Sequence, residues 1–352
     1  MKLLKYNPLL LILPVLIFSL GFITLLSTSP ELAKSQLMYF IIGGFLYYLA
    51  SIIDYDLYKY YWKYLYFGII TLLVFTFVLG EVRLGSVRWL NLGVFTFQPS
   101  EFAKIVLIIT ISTLLTLDSQ IFRKFKEFSK IILYFVPVFM LVIIQPDLGT
   151  SIVLLAIFIG ILFFAGLSKV YFIVSILVLG IFSSPLWSLL HDYQKKRILV
   201  FLNPSLDVQG SGYNVIQSII AVGSGGLLGK GFGRGTQSHL NFLPAHWTDF
   251  IFASFAEEWG FVGVVALIIL FILLLFTILY VIYKVKEPYA NLLAFGVFMV
   301  FLTQFVINVG MNLGIMPVTG IPLPLVSYGG SSMLTGMILL GMVQNIWMRT
   351  AS

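Results

Sequence analysis

The sequence predicts an all-α integral membrane protein with about ten transmembrane helices and one large extracytoplasmic loop between helices 7 and 8. Three observations predict it. Of the 352 residues, 60% are hydrophobic and only 10% charged, against roughly 45–50% and 25% in soluble domains. Apolar runs of about 20 residues, the length that crosses a hydrocarbon core, recur along the chain. In lipid the backbone must be satisfied within each segment, so the runs are helices and not open sheet. A water-soluble globule is excluded, and so is disorder, which needs low hydrophobicity and high charge. The chain has no cysteine and three histidines, which rules out disulfides and Cys-based sites and leaves little for zinc. The net charge of +7 is read as orientation-setting loops, so no nucleic-acid partner is expected. Residues 1–352 are read as one polytopic membrane domain.

The spans centre near Phe18, Phe45, Leu72, Ile109, Val138, Phe158, Ile176, Ile268, Val300 and Leu339. The first follows Lys2 and Lys5 as a signal peptide would, but no small-x-small cleavage site comes after it, so it reads as a retained span. The second and fifth are short. With the N-terminus inside, the inner segments hold Lys2, Lys5, Lys59, Lys63, Arg123, Lys124, Lys126, Lys130, Lys169, Lys284, Lys286 and Arg349. The short outer loops hold only Lys34, Arg83 and Arg88. That positive-inside bias predicts cytoplasmic termini. Lys104 lies at a membrane edge, and the other five basic residues lie in the long loop, which the rule does not govern.

The long loop runs from about residue 191 to 248, and loops of this length are usually functional. Its stretch Gly210–Gly235 holds nine of the 30 glycines. Glycine lets backbone amides approach a ligand and point together at an anion. Lys195, Lys196, Arg197, Lys230 and Arg234 add positive charge, a combination that suits a phosphate or equally a solvated, flexible loop. The Ile219–Val222 run suggests an interfacial piece.

Ionisable residues at membrane edges point to chemistry, because burying one in lipid is costly. Glu101 and Lys104 open the fourth span at i, i+3 and can pair, and Ser100 can cap that helix. Asp147 stands at the outer turn between spans five and six, as a cap or in a polar cavity. Asp249 opens the eighth span after the glycine-rich loop, as a cap or as a general base. Glu257 and Glu258 lie two turns on. At 3.6 residues per turn Glu257 falls on much the same face as Asp249, inside a cavity and not toward lipid. Pro317, Pro322 and Pro324 deny helix ahead of the tenth span. Ser331 and Ser332, with helix-start amides, form an outer-facing anion site or simply pack.

In order and over nearly the whole chain, these blocks resemble the SEDS family (shape, elongation, division and sporulation), most closely its RodA branch. The blocks are Gly85–Trp89, Gln98–Glu101 with Lys104, Gln145–Thr150, Tyr193-Gln194 with Arg197, Gly212-Tyr213 with Gln217-Ser218, Gly223–Gly231, Gly235–Ser238, Thr248–Phe252, Glu257-Glu258 and Pro317–Ser332. Gly235–Ser238 and Val318–Pro324 favour RodA over FtsW. The family commonly writes Pro-Glu-x-His-Thr-Asp where this chain has Pro244-Ala245-His246-Trp247-Thr248-Asp249, so no role is carried to Ala245 or Trp247.

The resemblance implies a peptidoglycan glycosyltransferase in the bacterial plasma (inner) membrane, its site on the outer side. Its substrate would be lipid II, a disaccharide-pentapeptide on undecaprenyl pyrophosphate. Its partner would be a class B penicillin-binding protein, the transpeptidase of the elongation machinery. Transfer from an α-linked donor to form a β-1,4 bond inverts the anomeric carbon, and one carboxylate base is enough to take the proton of the incoming 4-hydroxyl. Asp249 is expected to be that base. Arg88, Lys195, Arg197 and Lys230 are expected to match the pyrophosphate charge. Glu101, Lys104 and Asp147 are placed in the polar cavity, with Gln217, Ser218, Gln237, Ser331 and Ser332 as further substrate contacts. No pattern demands a metal, although a divalent cation, Mg2+ or Mn2+, is compatible. A transporter that flips lipid II and a non-catalytic scaffold for the transpeptidase are the alternatives.

Overall fold

The computed structural model describes residues 6–83, 86–91, 96–117, 125–168, 192–207 and 210–350. Nine of the expected spans are helices: α1 (Leu9–Thr28), α2 (Pro30–Ile52), α3 (Tyr55–Leu79), α4 (Pro99–Leu117), α5 (Phe125–Ile144), α6 (Leu148–Phe164), α10 (Ile251–Lys284), α11 (Pro288–Asn312) and α12 (Gly330–Thr350). The seventh, near Ile176, lies outside the described residues, as do Lys2, Lys5, Gly85, Arg123, Lys124, Lys169 and the loop's start at His191. The second span is not short: α2 runs 23 residues.

The apolar helices sort themselves by what surrounds them. In α4, 78% of the most apolar window is buried, against 28% in α3, so α4 is the central helix and α3 a peripheral one. Large apolar side chains stay exposed along α1 (Leu9, Ile12, Val15) and α3 (Phe67, Val74, Val78), where lipid takes the place of a protein partner. Small residues let helix axes close up. Gly341 of α12 lies against the Tyr47 backbone and Ala50 of α2, and Gly296 of α11 against Ile108 of α4 and Ile161 of α6. At one end of the bundle Arg349 pairs with Asp54 at 2.8 Å, Tyr55 donates to Glu287, and Lys59 sits 5.4 Å above the Tyr289 ring.

Helix α10 is the exception to a simple span. Its 34 residues would reach about 51 Å at 1.5 Å per residue, well beyond a ~30 Å core. Gly260 breaks it with φ 64° and ψ −166°. The part before the break is enclosed by protein. Phe261 and Val262, just after it, are exposed.

The long loop is folded. It contains α7 (Asp192–Leu202), a 3-10 turn (Pro204–Asp207), α8 (Ser211–Ser224) and α9 (Thr236–His239). Its glycines serve a purpose other than the expected one. A side chain at Gly225 or Gly229 would run into the carbonyls of Ala256 and Glu258, so glycine is what lets the loop backbone lie on the α10 backbone. There the loop supplies hydrogen bonds that the break removes. Lys230 N and Gly231 N donate to Glu257 O and Glu258 O, both at 3.0 Å, and Gly226 O and Leu227 O accept from Phe261 N and Val262 N at 2.9 and 3.1 Å. Broken backbone near the membrane is tolerated where protein satisfies it in this way. The amides of Lys230, Gly231 and Gly233 are thereby spent on α10.

One further departure from all-α is a small antiparallel sheet after α3, of β1 (Glu81–Arg83), β2 (Ser86–Asn91) and β3 (Thr96–Phe97) in the order β1-β2-β3. It carries Arg88 back toward the helix ends.

Candidate active site

Asp249 lies just ahead of α10 but does not cap it. The N-cap is Phe250, and no side chain caps the helix. The chain is turned into α10 at Ala245, whose backbone is left-handed (φ 52°). The Ala245 carbonyl accepts from Thr248 N at 3.1 Å and Phe250 N at 3.2 Å. Behind the turn, Leu243, Phe250 and Ala253 pack with Ala221 of α8 and Val318 into a small apolar core. His246 is buried in the same turn, its Nδ1 3.0 Å from Leu243 O, and burial pushes its pKa down.

The other wall of the groove is the Pro317–Gly329 strap. The prolines keep it from helix, and the Thr248 and Trp247 carbonyls lock it down: Ser327 Oγ donates to Thr248 O at 2.7 Å and Tyr328 N to Trp247 O at 2.9 Å. Glycine is needed at position 320, where φ is 76° and an added Cβ would lie 3.5 Å from Asp249 Oδ2. The start of α6 closes on the strap as well, since a Cβ at Gly149 would stand 2.9 Å from Thr319 O.

Two arginines reach this place from distant elements. Arg197 of α7 donates from Nη1 to Thr319 O at 2.9 Å. Arg88 of β2 donates from Nε to Gln145 O at 3.2 Å and from Nη2 to Pro146 O, and its Nη1 lies 3.6 Å from Asp147 Oδ1. Asp147 is the N-cap of α6, accepting from Thr150 N at 3.2 Å. Its Oδ2 also takes Gln98 Nε2 at 3.0 Å and Ser100 Oγ at 2.9 Å. Ser100 is therefore a partner of Asp147 inside α4, not the cap of that helix. Among the described residues none donates a hydrogen bond to the Asp249 carboxylate. Burial raises its pKa, Arg197 and then Arg88 draw it back, and Asp147 adds a smaller upward push. An acid in this state, half-buried with free oxygens and cations nearby, can take up and release a proton.

The other expected site residues divide. Lys195 is half-buried one turn before Leu199 on α7, beside Arg197, and Gln217 is half-buried on α8. Glu101 and Lys104 are a fully buried ion pair at 2.6 Å in α4. Ser218 is fully buried and donates to Asn312 O at 2.9 Å, so its hydroxyl braces α8 against α11. Lys230 is bound by Glu257 at 2.6 Å and by Thr236 Oγ1 at 3.0 Å, and Gln237 N donates to Glu257 Oε1 at 3.1 Å. Ser331 Oγ accepts from Gln98 N at 2.9 Å and donates to Thr96 O at 3.4 Å, which ties α12 to β3 and to the residue after it. Ser332 is half-buried at the start of α12.

Lys230, Gln237 and Glu257 thus form a clasp of their own. Glu257 and Glu258 are buried and do face protein, as expected, but Glu257 shares no partner with Asp249. Ser27 of α1 and Gly233 N both donate to Glu258 Oε1.

Sequence reasoning missed Asn308 and Asn312, both fully buried on α11, whose Nδ2 atoms donate to Asp249 O at 3.1 and 3.0 Å. Two asparagines at i, i+4 in an apolar span were the available signal.

A family model of cell cycle proteins, FtsW/RodA/SpoVE, matches residues 2–352. The peptidoglycan glycosyltransferase MrdB of Escherichia coli K12 is 40% identical over 284 residues, covering 80% of this chain and 76% of that one. A solved chain described under the structural coordination of polymerization and crosslinking by a peptidoglycan synthase complex aligns with a TM-score of 0.85 at 32% identity, with 98% of each chain covered. The rod shape determining protein RodA of Thermus thermophilus aligns at 0.74 and 29% identity, over 97% of this chain and 96% of that one. The chain belongs to the FtsW/RodA/SpoVE family.

Proposed function

We propose that this chain is a multi-pass membrane peptidoglycan glycosyltransferase of cell elongation and rod shape, that it polymerises lipid II, and that Asp249 is its general base. The observation that carries the reading is the Asp249 carboxylate: half-buried, unbonded by described residues and within the electrostatic reach of two arginines that are themselves anchored to backbone carbonyls. A base of this kind takes the proton of the acceptor 4-hydroxyl as the oxygen attacks the anomeric carbon. The carbon–oxygen bond to pyrophosphate breaks on the opposite face, and the configuration inverts. The leaving pyrophosphate carries its negative charge away, so it needs cations and not a proton donor. Arg88 and Arg197 are its binding residues, each holding the protein with part of its guanidinium, and Lys195 adds charge on α7. Lys230 and Ser218 are left out of this role because Glu257 and Asn312 already engage them. A small apolar pocket lined by Arg197, Val200, Phe201, Val215, Met316, Pro317 and Val318 lies beside this charged head, with room for about one water-sized group.

Among the described residues no cluster of three metal-ligating side chains is present; a divalent cation, if bound, would be held by the Asp249 carboxylate and would supply further neutralisation of the leaving group. The groove lies at the end of α10 opposite Lys284, and the residues expected to be inner, Lys59, Lys284 and Arg349, belong to the far end. This supports an extracytoplasmic site with cytoplasmic termini. The partner is a class B penicillin-binding protein that crosslinks the strand, a reading supported by the synthase complex to which the chain is similar.

Purified protein with lipid II in detergent tests the proposal, because detergent removes the two sides that a flippase needs. Wild type should make glycan polymer. Asp249→Asn should fold and melt like wild type and lose about 10²–10⁴ in turnover, the usual contribution of a general base. Near-normal polymer from that variant would remove Asp249 from the chemistry.

A further inference from the structure

The hydrogen bond that would extend α10 by one residue to Asp249 is not made, and a side chain stands in its place. In a regular helix the carbonyl of residue 249 accepts from the amide of residue 253. Here the Asn312 carboxamide lies between them. Its Nδ2 donates to Asp249 O at 3.0 Å, and its Oδ1 accepts from Ala253 N at 3.1 Å. Ala253 N turns instead to Phe250 O, three residues back, at 3.1 Å. Phe250 itself is non-helical, with φ −107° and ψ 20°. A group inserted into the i→i−4 ladder is an established cause of helix opening. Asn308, one turn earlier on α11, donates from Nδ2 to Asp249 O at 3.1 Å and to Ile321 O at 2.8 Å, so it ties the same peptide to the strap.

The orientation of the inserted amide is fixed. Turned over, its oxygen would face the Asp249 carbonyl and its NH2 the Ala253 amide, acceptor against acceptor and donor against donor. Asn312 Nδ2 also donates to Asn308 O at 2.8 Å, which requires the same orientation; Ser218 Oγ, donating to Asn312 O at 2.9 Å, ties this turn of α11 to α8. Asn308 and Asn312 are both fully buried, so each bond is made away from water, where losing it is costly.

We propose that Asn312, assisted by Asn308, is a positioning residue that wedges Asp249 out of α10 and so aims its carboxyl into the groove beneath Gly320. The inference rests on the assignment of Asp249 as base. Asn312 acts through the Asp249 peptide and touches no substrate. With the wedge removed, Asp249 O and Ala253 N can close the turn, α10 lengthens, and the carboxylate swings onto the helix surface.

The test uses full-length protein in detergent with lipid II as substrate. Asn312→Ala should leave KM within about twofold and lower kcat by about 10–100-fold, the scale of a misplaced catalytic group. The acidic limb of its kcat–pH profile should move, because the carboxylate changes surroundings. Asn312→Ser, which stays polar but is too short to bridge both backbone groups, should show the same split and serves if the alanine variant does not fold. A folded variant of either kind with wild-type kcat and pH profile overturns the proposal, and so does a loss confined to melting temperature. Asp249→Asn separates the two claims. If it is inactive while the Asn312 variants behave as wild type, only the positioning role falls; if it polymerises normally, the base assignment falls first.

Discussion

Asp249 and Glu257 stand eight residues apart around the start of one helix, and they are built for opposite purposes. Glu257 is fully buried and saturated: Lys230 Nζ at 2.6 Å, Thr236 Oγ1 at 3.0 Å and Gln237 N at 3.1 Å all converge on its Oε1. The Asp249 carboxylate accepts no hydrogen bond from described side chains, and its cations act at longer range through Arg197 and Arg88. A carboxylate whose valences are all met by the protein holds the protein together and has nothing left for a ligand. One that is confined but unbonded is kept ready for an incoming group. Burial alone does not distinguish a site from a brace; the inventory of hydrogen bonds does.

The sharpest way to break that comparison is Glu257→Gln. Removing one partner of a buried pair costs about 3–5 kcal/mol. Lys230 is 28% exposed and can turn toward water, so the expected loss is nearer 2–3 kcal/mol. Thermal melting in detergent should fall while turnover per folded molecule stays near wild type. Normal melting with turnover lost would make Glu257 part of the chemistry. A comparable effect is expected from Gly229→Ala. A non-glycine residue at φ 79° costs about 1–3 kcal/mol, and here the new Cβ also meets the Glu258 carbonyl. Gly233→Ala carries a similar φ of 75° but has open space around it, so it should cost only the conformational part, about 1–2 kcal/mol. Equal losses at the two glycines, read by melting, would mean that the loop does not depend on its docking against α10.

Much of the fold was legible because it follows from hydropathy and length alone, which placed a helix at each expected span that falls within the described residues. The site was legible one residue at a time. Asp249 and Asp147 stood out as charges at membrane edges, and Arg88 and Arg197 as basic residues of the outer loops. Their convergence did not, because it depends on the β2 strand and the strap, neither of which has a periodic signal. The glycine-rich loop was ambiguous for a physical reason. Close backbone approach is the same requirement whether the thing approached is a phosphate or another helix, and only the break at Gly260 shows which applies. Helical spacing suggested that Glu257 shares a face with Asp249, but Asp249 lies outside the helix, so the 3.6-residue period does not reach it.

The pH dependence of turnover sharpens the comparison from the Asp249 side. Burial holds its pKa above the ordinary carboxylate range, and Arg197 is the larger of the two cations that lower it. The base works deprotonated, so turnover should fall as the pH drops through that raised pKa. Arg197→Ala removes the larger counterweight, and the acidic limb of kcat should move to higher pH. Stability carries the opposite sign. A carboxyl whose pKa is higher folded than unfolded favours folding while protonated, and that contribution disappears as the pH rises through the folded pKa. Asp249→Asn should therefore flatten this part of the melting–pH curve. An acidic limb that stays in place in Arg197→Ala would mean that Arg197 does not act on Asp249.

The smallest expected effect lies one residue away. Lys196, next to both Lys195 and Arg197 on α7, pairs with Asp207 at 3.0 Å but is 58% exposed. An ion pair this open to water contributes about 0–1 kcal/mol, and at physiological salt its field fades within about 8 Å. Lys196→Ala should thus leave melting within about 0.5 kcal/mol of wild type, with the KM for lipid II inside twofold, whereas Lys195→Ala should raise KM measurably at low salt. A shift in KM for Lys196→Ala as large as that for Lys195→Ala would show that the substrate senses the summed charge of α7. The groove would then have no privileged residues on that helix, and the contrast between a poised centre and its braced surroundings would hold for Asp249 alone.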